Sequence, residues 1–100
     1  MEAEIKAQEL LLRLKNQEEL NLIDVREPIE FATYNIGGKN IPLGKLDSGL
    51  NNLNHLKNKE IIVICKVGLR SETGTQLLQQ HGFTNVRNLC GGLLALHKIS

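Results

Sequence analysis

Ile61-Ile62-Val63-Ile64 is apolar at every position, so a strand built from it buries both of its faces. A strand with one wet face would alternate polar and apolar residues instead. The run therefore requires covering layers on both sides, the arrangement of a central strand in a parallel sheet flanked by helices.

The neighbouring segments supply those layers. Residues 3–15 are rich in Ala, Leu, Glu, Gln and Lys, and set Leu10, Leu11 and Leu14 on adjoining faces, which predicts an amphipathic first helix. Leu20 to Val25 reads as a strand, ended by Arg26-Glu27-Pro28, and Pro28 suits the first position of a short helix reaching about Tyr34. Gly37-Gly38 breaks that helix, and Asn40 to Leu43 leaves room for a brief extended piece. Leu46, Leu50, Leu53 and Leu56 recur at three or four residues, predicting a third helix with Asp47 and Ser48 as available caps. Ser71 reads as the cap of a helix that passes through Leu77 and Leu78 and leaves at His81-Gly82. Val86 to Leu89 makes a last strand, and Gly91-Gly92 turns the chain into a short apolar segment, Leu93 to Leu96. The sum is an open α/β fold with a mainly parallel sheet and helices on both faces, forming one domain over residues 1–100 with a core at about 20–96.

One hundred residues, 41% of them apolar, suit one core and hence one site. Twelve basic and eleven acidic residues form no stripe or tail of the kind that neutralises a phosphate backbone or an anionic membrane, and three aromatic residues make no stacking platform for bases. Nucleic acid and lipid are thereby set aside as partners. The first residues have neither a basic start nor an apolar core, and Arg13 cuts Leu10-Leu11-Leu12 short, so the expectation is a cytoplasmic protein whose two cysteines, Cys65 and Cys90, are free thiols.

Cys65 directly follows the central strand, and in open parallel sheets the ligand crevice lies at the carboxyl ends of the strands. On position alone such a cysteine is most often a small buried hydrophobe. The residues after it change that assessment. Lys66-Val67-Gly68-Leu69-Arg70-Ser71 leads into a helix, so the thiol faces backbone N–H groups and a helix dipole that favour negative charge, with Arg70 and Lys66 adding to the field. Gly68 permits backbone angles that let the loop wrap its amides inward. Four residues separate Cys65 from Arg70, one fewer than in the phosphatase loop that grips a phosphate dianion. The tighter ring suits the single outer sulfur of a persulfide better than a phosphoryl group.

Cys-Lys-Val-Gly-Leu-Arg-Ser at 65–71 resembles the active loop of rhodanese domains. Leu22-Ile23-Asp24-Val25-Arg26-Glu27-Pro28 with Glu30-Phe31 is similar to their first strand and turn, and Gly91-Gly92 after Asn88-Leu89 to their last turn. The stretch Ile36 to Gly44 is similar to rhodanese domains fused behind adenylyltransferases that activate ubiquitin-like sulfur carriers in molybdopterin and thiamine synthesis. The resemblance implies a sulfurtransferase. In it the Cys65 thiolate takes the outer sulfur of thiosulfate or of a donor protein's persulfide and passes it to a second nucleophile, with a ubiquitin-like carrier and its adenylyltransferase as partners and neither metal nor organic cofactor. Asn35 stands where many relatives have histidine and Leu96 near where many have tryptophan, which implies altered packing away from the loop.

The remaining polar residues have plainer uses. Arg70 suits pairing with a carboxylate as well as steering anionic donors, and Lys66 suits solvent. Asp24 and Arg26, at a strand end, are expected to pair and to organise the site, and Cys90 is expected to pack. His55, His81 and His97 are at no metal-ligand spacing, so no metal site is proposed. Two further functions fit the same scaffold: a catalytically idle module that docks a partner, and a phosphatase or arsenate reductase.

Overall fold

The computed structural model describes residues 2–100. In chain order the elements are β1 (Glu4–Ile5), α1 (Ala7–Lys15), β2 (Leu22–Asp24), α2 (Pro28–Thr33), β3 (Lys39–Asn40), α3 (Leu43–Leu46), a 3-10 stretch (Asp47–Leu56), β4 (Ile61–Ile64), α4 (Leu69–Gln80), β5 (Val86–Leu89) and α5 (Gly92–Ile99). The strands form one sheet in the order β1-β5-β4-β2-β3, and each pairing is parallel.

β4 lies at the centre, with all four side chains buried as the apolar run requires. Ile62 and Ile64 join Leu10 of α1 and Leu93 and Leu96 of α5 on one face; Ile61 and Val63 join Leu46, Leu53 and Leu78 on the other. Each such aliphatic side chain contributes about 1.5–3 kcal/mol when taken from water into the core. The alternation continues past the strand, so Cys65 falls on the same face as Val63, the face covered by α4. Two arginines tie α1 to the sheet: Arg13 binds Glu60, and Arg87 binds Glu9.

Four expectations about the elements change in the structure. The helix expected over residues 3–15 begins at Ala7, because Glu4-Ile5 is claimed by the edge of β5: Asn88 N–H donates to the Ala3 carbonyl and Cys90 N–H to that of Ile5. Residues 47–56 wind as a 3-10 helix, in which Leu50, Leu53 and Leu56, each three apart, align along one side. Neither Asp47 nor Ser48 caps it; Ser48 Oγ instead donates to the Lys45 carbonyl. The segment after Gly91 is a full helix, α5, which extends to Ile99. The fourth change concerns Ser71 and belongs to the site.

Candidate active site

β4 delivers Cys65 to the base of a loop that folds over its sulfur. Gly68 N–H points at Cys65 Sγ at 3.1 Å, Ser71 N–H at 3.3 Å, and Ser71 Oγ lies 3.2 Å away. Cys65 has no exposed surface, so the sulfur sits at the floor of the ring. Ser71 is not the helix cap: α4 starts at Leu69 with Gly68 as its cap residue, which places Ser71 inside the first turn with its hydroxyl turned to the sulfur.

The inward set of the amides has a cause on the far side of the loop. A peptide plane holds its C=O and the following N–H in opposite directions. The carbonyl of Cys65 accepts from Leu93 N–H at 2.9 Å and that of Lys66 from Leu94 N–H at 3.0 Å, both at the start of α5. The Gly68 carbonyl accepts from Asn88 Nδ2 at 3.2 Å and from Glu72 N–H at 3.2 Å. The outward Lys66 carbonyl leaves the Val67 N–H facing inward, one of the groups that act on the Cys65 thiol. The fit is close: Gly68 has φ +96, and a Cβ on Gly92 would meet the Lys66 carbonyl and lie 2.6 Å from the Cys65 carbonyl oxygen.

Burial pushes the Cys65 thiol up, but hydrogen bonds from the Ser71 hydroxyl and from the N–H groups of Ser71, Gly68 and Val67 outweigh it and hold the thiol below its ordinary value. The arrangement stabilises a sulfur anion without a charged side chain in contact with it.

Arg70 pairs with Glu30 on α2 through two hydrogen bonds, at 2.7 and 3.1 Å. The Arg70 guanidinium and then the Glu27 N–H hold the Glu30 carboxyl down to about 2. Asp24 and Arg26 also pair, both buried. The Arg26 guanidinium meets the Asp24 carboxylate at 2.8 to 3.2 Å and donates onward to the carbonyls of Tyr34, at 2.7 Å, and Glu30, at 3.4 Å. This pair fixes α2, which carries Glu30, against the loop. Lys66, Val67 and Leu69 are exposed and form the rim. A hollow of about 380 Å³ lies beside the rim between α2 and α5, lined by Arg26, Glu30, Tyr34, Lys66, Leu93 and Leu94 among others. Cys65 is not on its wall.

The structure thus brings together Cys65, Gly68, Arg70, Ser71 and the Asp24–Arg26 pair. Cys90 is exposed rather than packed, because β5 ends at Leu89 and the chain is already turning outward. His55, His81 and His97 are exposed, and among the described residues no three His, Cys, Asp or Glu side chains gather as a metal site would require. No helix among them is long and apolar enough to cross a membrane. Three contributors escape a sequence reading. Asn88 looks like any polar residue within a strand. Glu30 is visible only as part of a turn motif, and the amides of α5 belong to a segment marked only by the Gly91-Gly92 turn before it.

The profile of the rhodanese-like domain matches residues 6–98. A sulfurtransferase of Allochromatium vinosum is 30% identical over 93 residues, which cover 92% of this chain and 85% of that one. The probable adenylyltransferase/sulfurtransferase MoeZ of Mycobacterium tuberculosis is 32% identical over 95 residues, covering 94% of this chain and 24% of MoeZ. The human single-domain sulfurtransferase superposes with a TM-score of 0.85 at 26% identity, over 100% of this chain and 99% of that one. The chain spans about half the length of two Bacillus subtilis relatives, 48% of one and 56% of the other.

Proposed function

Because this chain belongs to the rhodanese-like domain family, which includes sulfurtransferases, we propose that it carries sulfane sulfur as a persulfide on Cys65. One observation carries the proposal: the N–H groups of Gly68 and Ser71 and the Ser71 hydroxyl converge on one sulfur while the carbonyls of Cys65, Lys66 and Gly68 are bonded elsewhere.

In the first half-reaction the Cys65 thiolate attacks the outer sulfur of thiosulfate, or of a donor protein's persulfide. A new S–S bond forms, the donor's own S–S bond breaks, and sulfite or the donor thiolate leaves with the electron pair. The outer persulfide sulfur then bears the negative charge, and the N–H groups of the loop from Lys66 to Ser71 are the donors to hold it. In the second half-reaction an acceptor nucleophile attacks that outer sulfur and the Cys65 thiolate returns. Because Cys65 is buried to its sulfur, a donor must reach in with a narrow terminal atom while its bulk rests on Lys66, Val67 and Leu69. Asp24 and Arg26 act at one remove, by holding α2 and with it the partner of Arg70.

The acceptor we propose is the C-terminus of a ubiquitin-like sulfur carrier in molybdopterin or thiamine synthesis, where the roles reverse. The outer persulfide sulfur attacks the adenylylated acyl carbon, a C–S bond forms, the acyl C–O bond breaks with AMP leaving, and a cellular thiol cleaves the resulting acyl disulfide to release the carrier thiocarboxylate. Support comes from the pairing of adenylyltransferase and sulfurtransferase in the name of MoeZ. The cytoplasm is the proposed compartment, since both thiols are free and a reducing pool keeps them so.

Incubation with thiosulfate should raise the intact mass by one sulfur atom, cyanide should remove it, and Cys65→Ser should abolish loading. Loading that persists in Cys65→Ser would end the proposal. A carrier protein that binds both forms equally, with no loading of either, would favour the idle docking module.

A further inference from the structure

Four groups around the sulfur close a ring of hydrogen bonds. Gly68 N–H donates to Cys65 Sγ at 3.1 Å, Cys65 Sγ lies 3.2 Å from Ser71 Oγ, Ser71 Oγ–H donates to Asn88 Oδ1, and Asn88 Nδ2 donates to the Gly68 carbonyl at 3.2 Å. The direction of the ring is fixed by its amide. Asn88 Nδ2 faces a carbonyl, so Oδ1 must be the atom that faces Ser71, and Oδ1 has no proton to give. With the thiol protonated, every member is satisfied: S–H donates to Ser71 Oγ and the hydroxyl donates to Asn88.

Ionisation breaks that balance. A Ser71 hydroxyl has one proton and two acceptors, the thiolate and Asn88 Oδ1. Ser71 and Asn88 are 0% and 4% exposed, so whichever acceptor loses the proton is left short inside the core. Of the charged groups on the surrounding elements, Arg70 of α4 acts on the sulfur only across space and is held by Glu30 of α2. Asp24 and Arg26 at the end of β2 pair with each other, Arg87 of β5 is bound to Glu9 and Glu60, and Lys66 and Glu72 are exposed. The Ser71 proton is therefore the one donor near the sulfur whose direction is open to choice.

We propose that Asn88 is a positioning residue that competes with Cys65 for the Ser71 hydroxyl proton, and so limits how strongly the loop stabilises the sulfur anion. A thiolate held too firmly is a weaker nucleophile, since nucleophilicity falls with basicity. The competition keeps the sulfur anionic enough to form and loose enough to attack.

The test is the pH dependence of Cys65 alkylation by iodoacetamide, in a Cys90→Ser background that leaves one thiol. Asn88→Leu removes the competing acceptor at nearly constant shape, and Glu72 N–H still serves the Gly68 carbonyl. The expected result is a lower midpoint, with alkylation below the parent midpoint faster by up to about tenfold, the ratio set by one hydrogen bond to a charged group. Ser71→Ala should move the midpoint up, and adding Asn88→Leu to Ser71→Ala should move it no further. A midpoint that rises in Asn88→Leu, or falls equally with and without the Ser71 hydroxyl, overturns the proposal and leaves Asn88 as a support for the loop alone. Should Asn88→Leu fail to fold, Asn88→Ala gives the same expectation. The inference rests on Cys65 as the reacting group. Alkylation reads its ionisation whether or not thiosulfate loads sulfur, so the two proposals fail separately.

Discussion

The Glu30 carboxylate clamps the Arg70 guanidinium, Oε1 to Nη1 at 2.7 Å and Oε2 to Nη2 at 3.1 Å. The arginine of the loop therefore reaches the site already neutralised, by a residue forty positions earlier in the chain.

Replacing Glu30 with glutamine leaves that guanidinium unpaired at the rim. The expected outcome is a rise of about twofold to fivefold in kcat/KM for thiosulfate at low salt, from stronger attraction of an anionic donor. The gain should fade as salt approaches about 0.15 M, where the screening length is about 8 Å. A gain that ignores salt would mean that Arg70 does not steer.

The same pair sets an acid limit. The Glu30 carboxyl lies at about 2 when folded, below its ordinary value. A lowered carboxyl favours the folded state above the ordinary value, about 4.3, and loses that contribution as pH falls through the folded value. Urea midpoints should therefore decline between about pH 4.5 and pH 2, and Glu30→Gln should flatten part of the decline. With the side chain 31% exposed, the difference should be modest.

Asp24 and Arg26 should respond asymmetrically. Asp24→Leu strands a buried guanidinium and should cost about 3–5 kcal/mol in denaturant unfolding, whereas Asp24→Leu with Arg26→Met should cost distinctly less. In the double variant α2 loses its ties to Arg26 through the Tyr34 and Glu30 carbonyls, so sulfur loading should slow even where stability is regained.

Gly92→Ala should damage the loop from behind. The added methyl meets the Lys66 carbonyl at a φ of +65, so about 1–3 kcal/mol of stability should be lost. Thiosulfate loading of Cys65 should fall further than the melting temperature alone explains, because the Lys66 carbonyl being pushed shares its peptide plane with the Val67 N–H that acts on the sulfur.

How much the sequence discloses depends on how local each cause is. Ile61 to Ile64 betrays a central strand because burial on both faces requires an unbroken apolar run, and Gly68 betrays the loop because its backbone angle excludes most side chains. Glu4-Ile5 is opaque: helix-forming neighbours surround a two-residue strand that exists only because β5 offers it an edge. Ser71 misleads, since a serine before a helical stretch is the usual mark of a cap, while the positive φ of Gly68 starts α4 two residues earlier. Asn88 is visible in the sequence only as the start of the last-turn motif, with nothing local to mark its role. Its partners, Ser71 and Gly68, lie 17 and 20 residues away and meet it only through the β4–β5 pairing.

The hold of Leu93 and Leu94 on the carbonyls of Cys65 and Lys66 has a consequence for a growing chain. A ribosome that has released Cys65 but not yet residues 93–94 has released a loop without the donors to the Cys65 and Lys66 carbonyls. The loop is therefore completed only once the final turn and helix supply the donors to those two carbonyls.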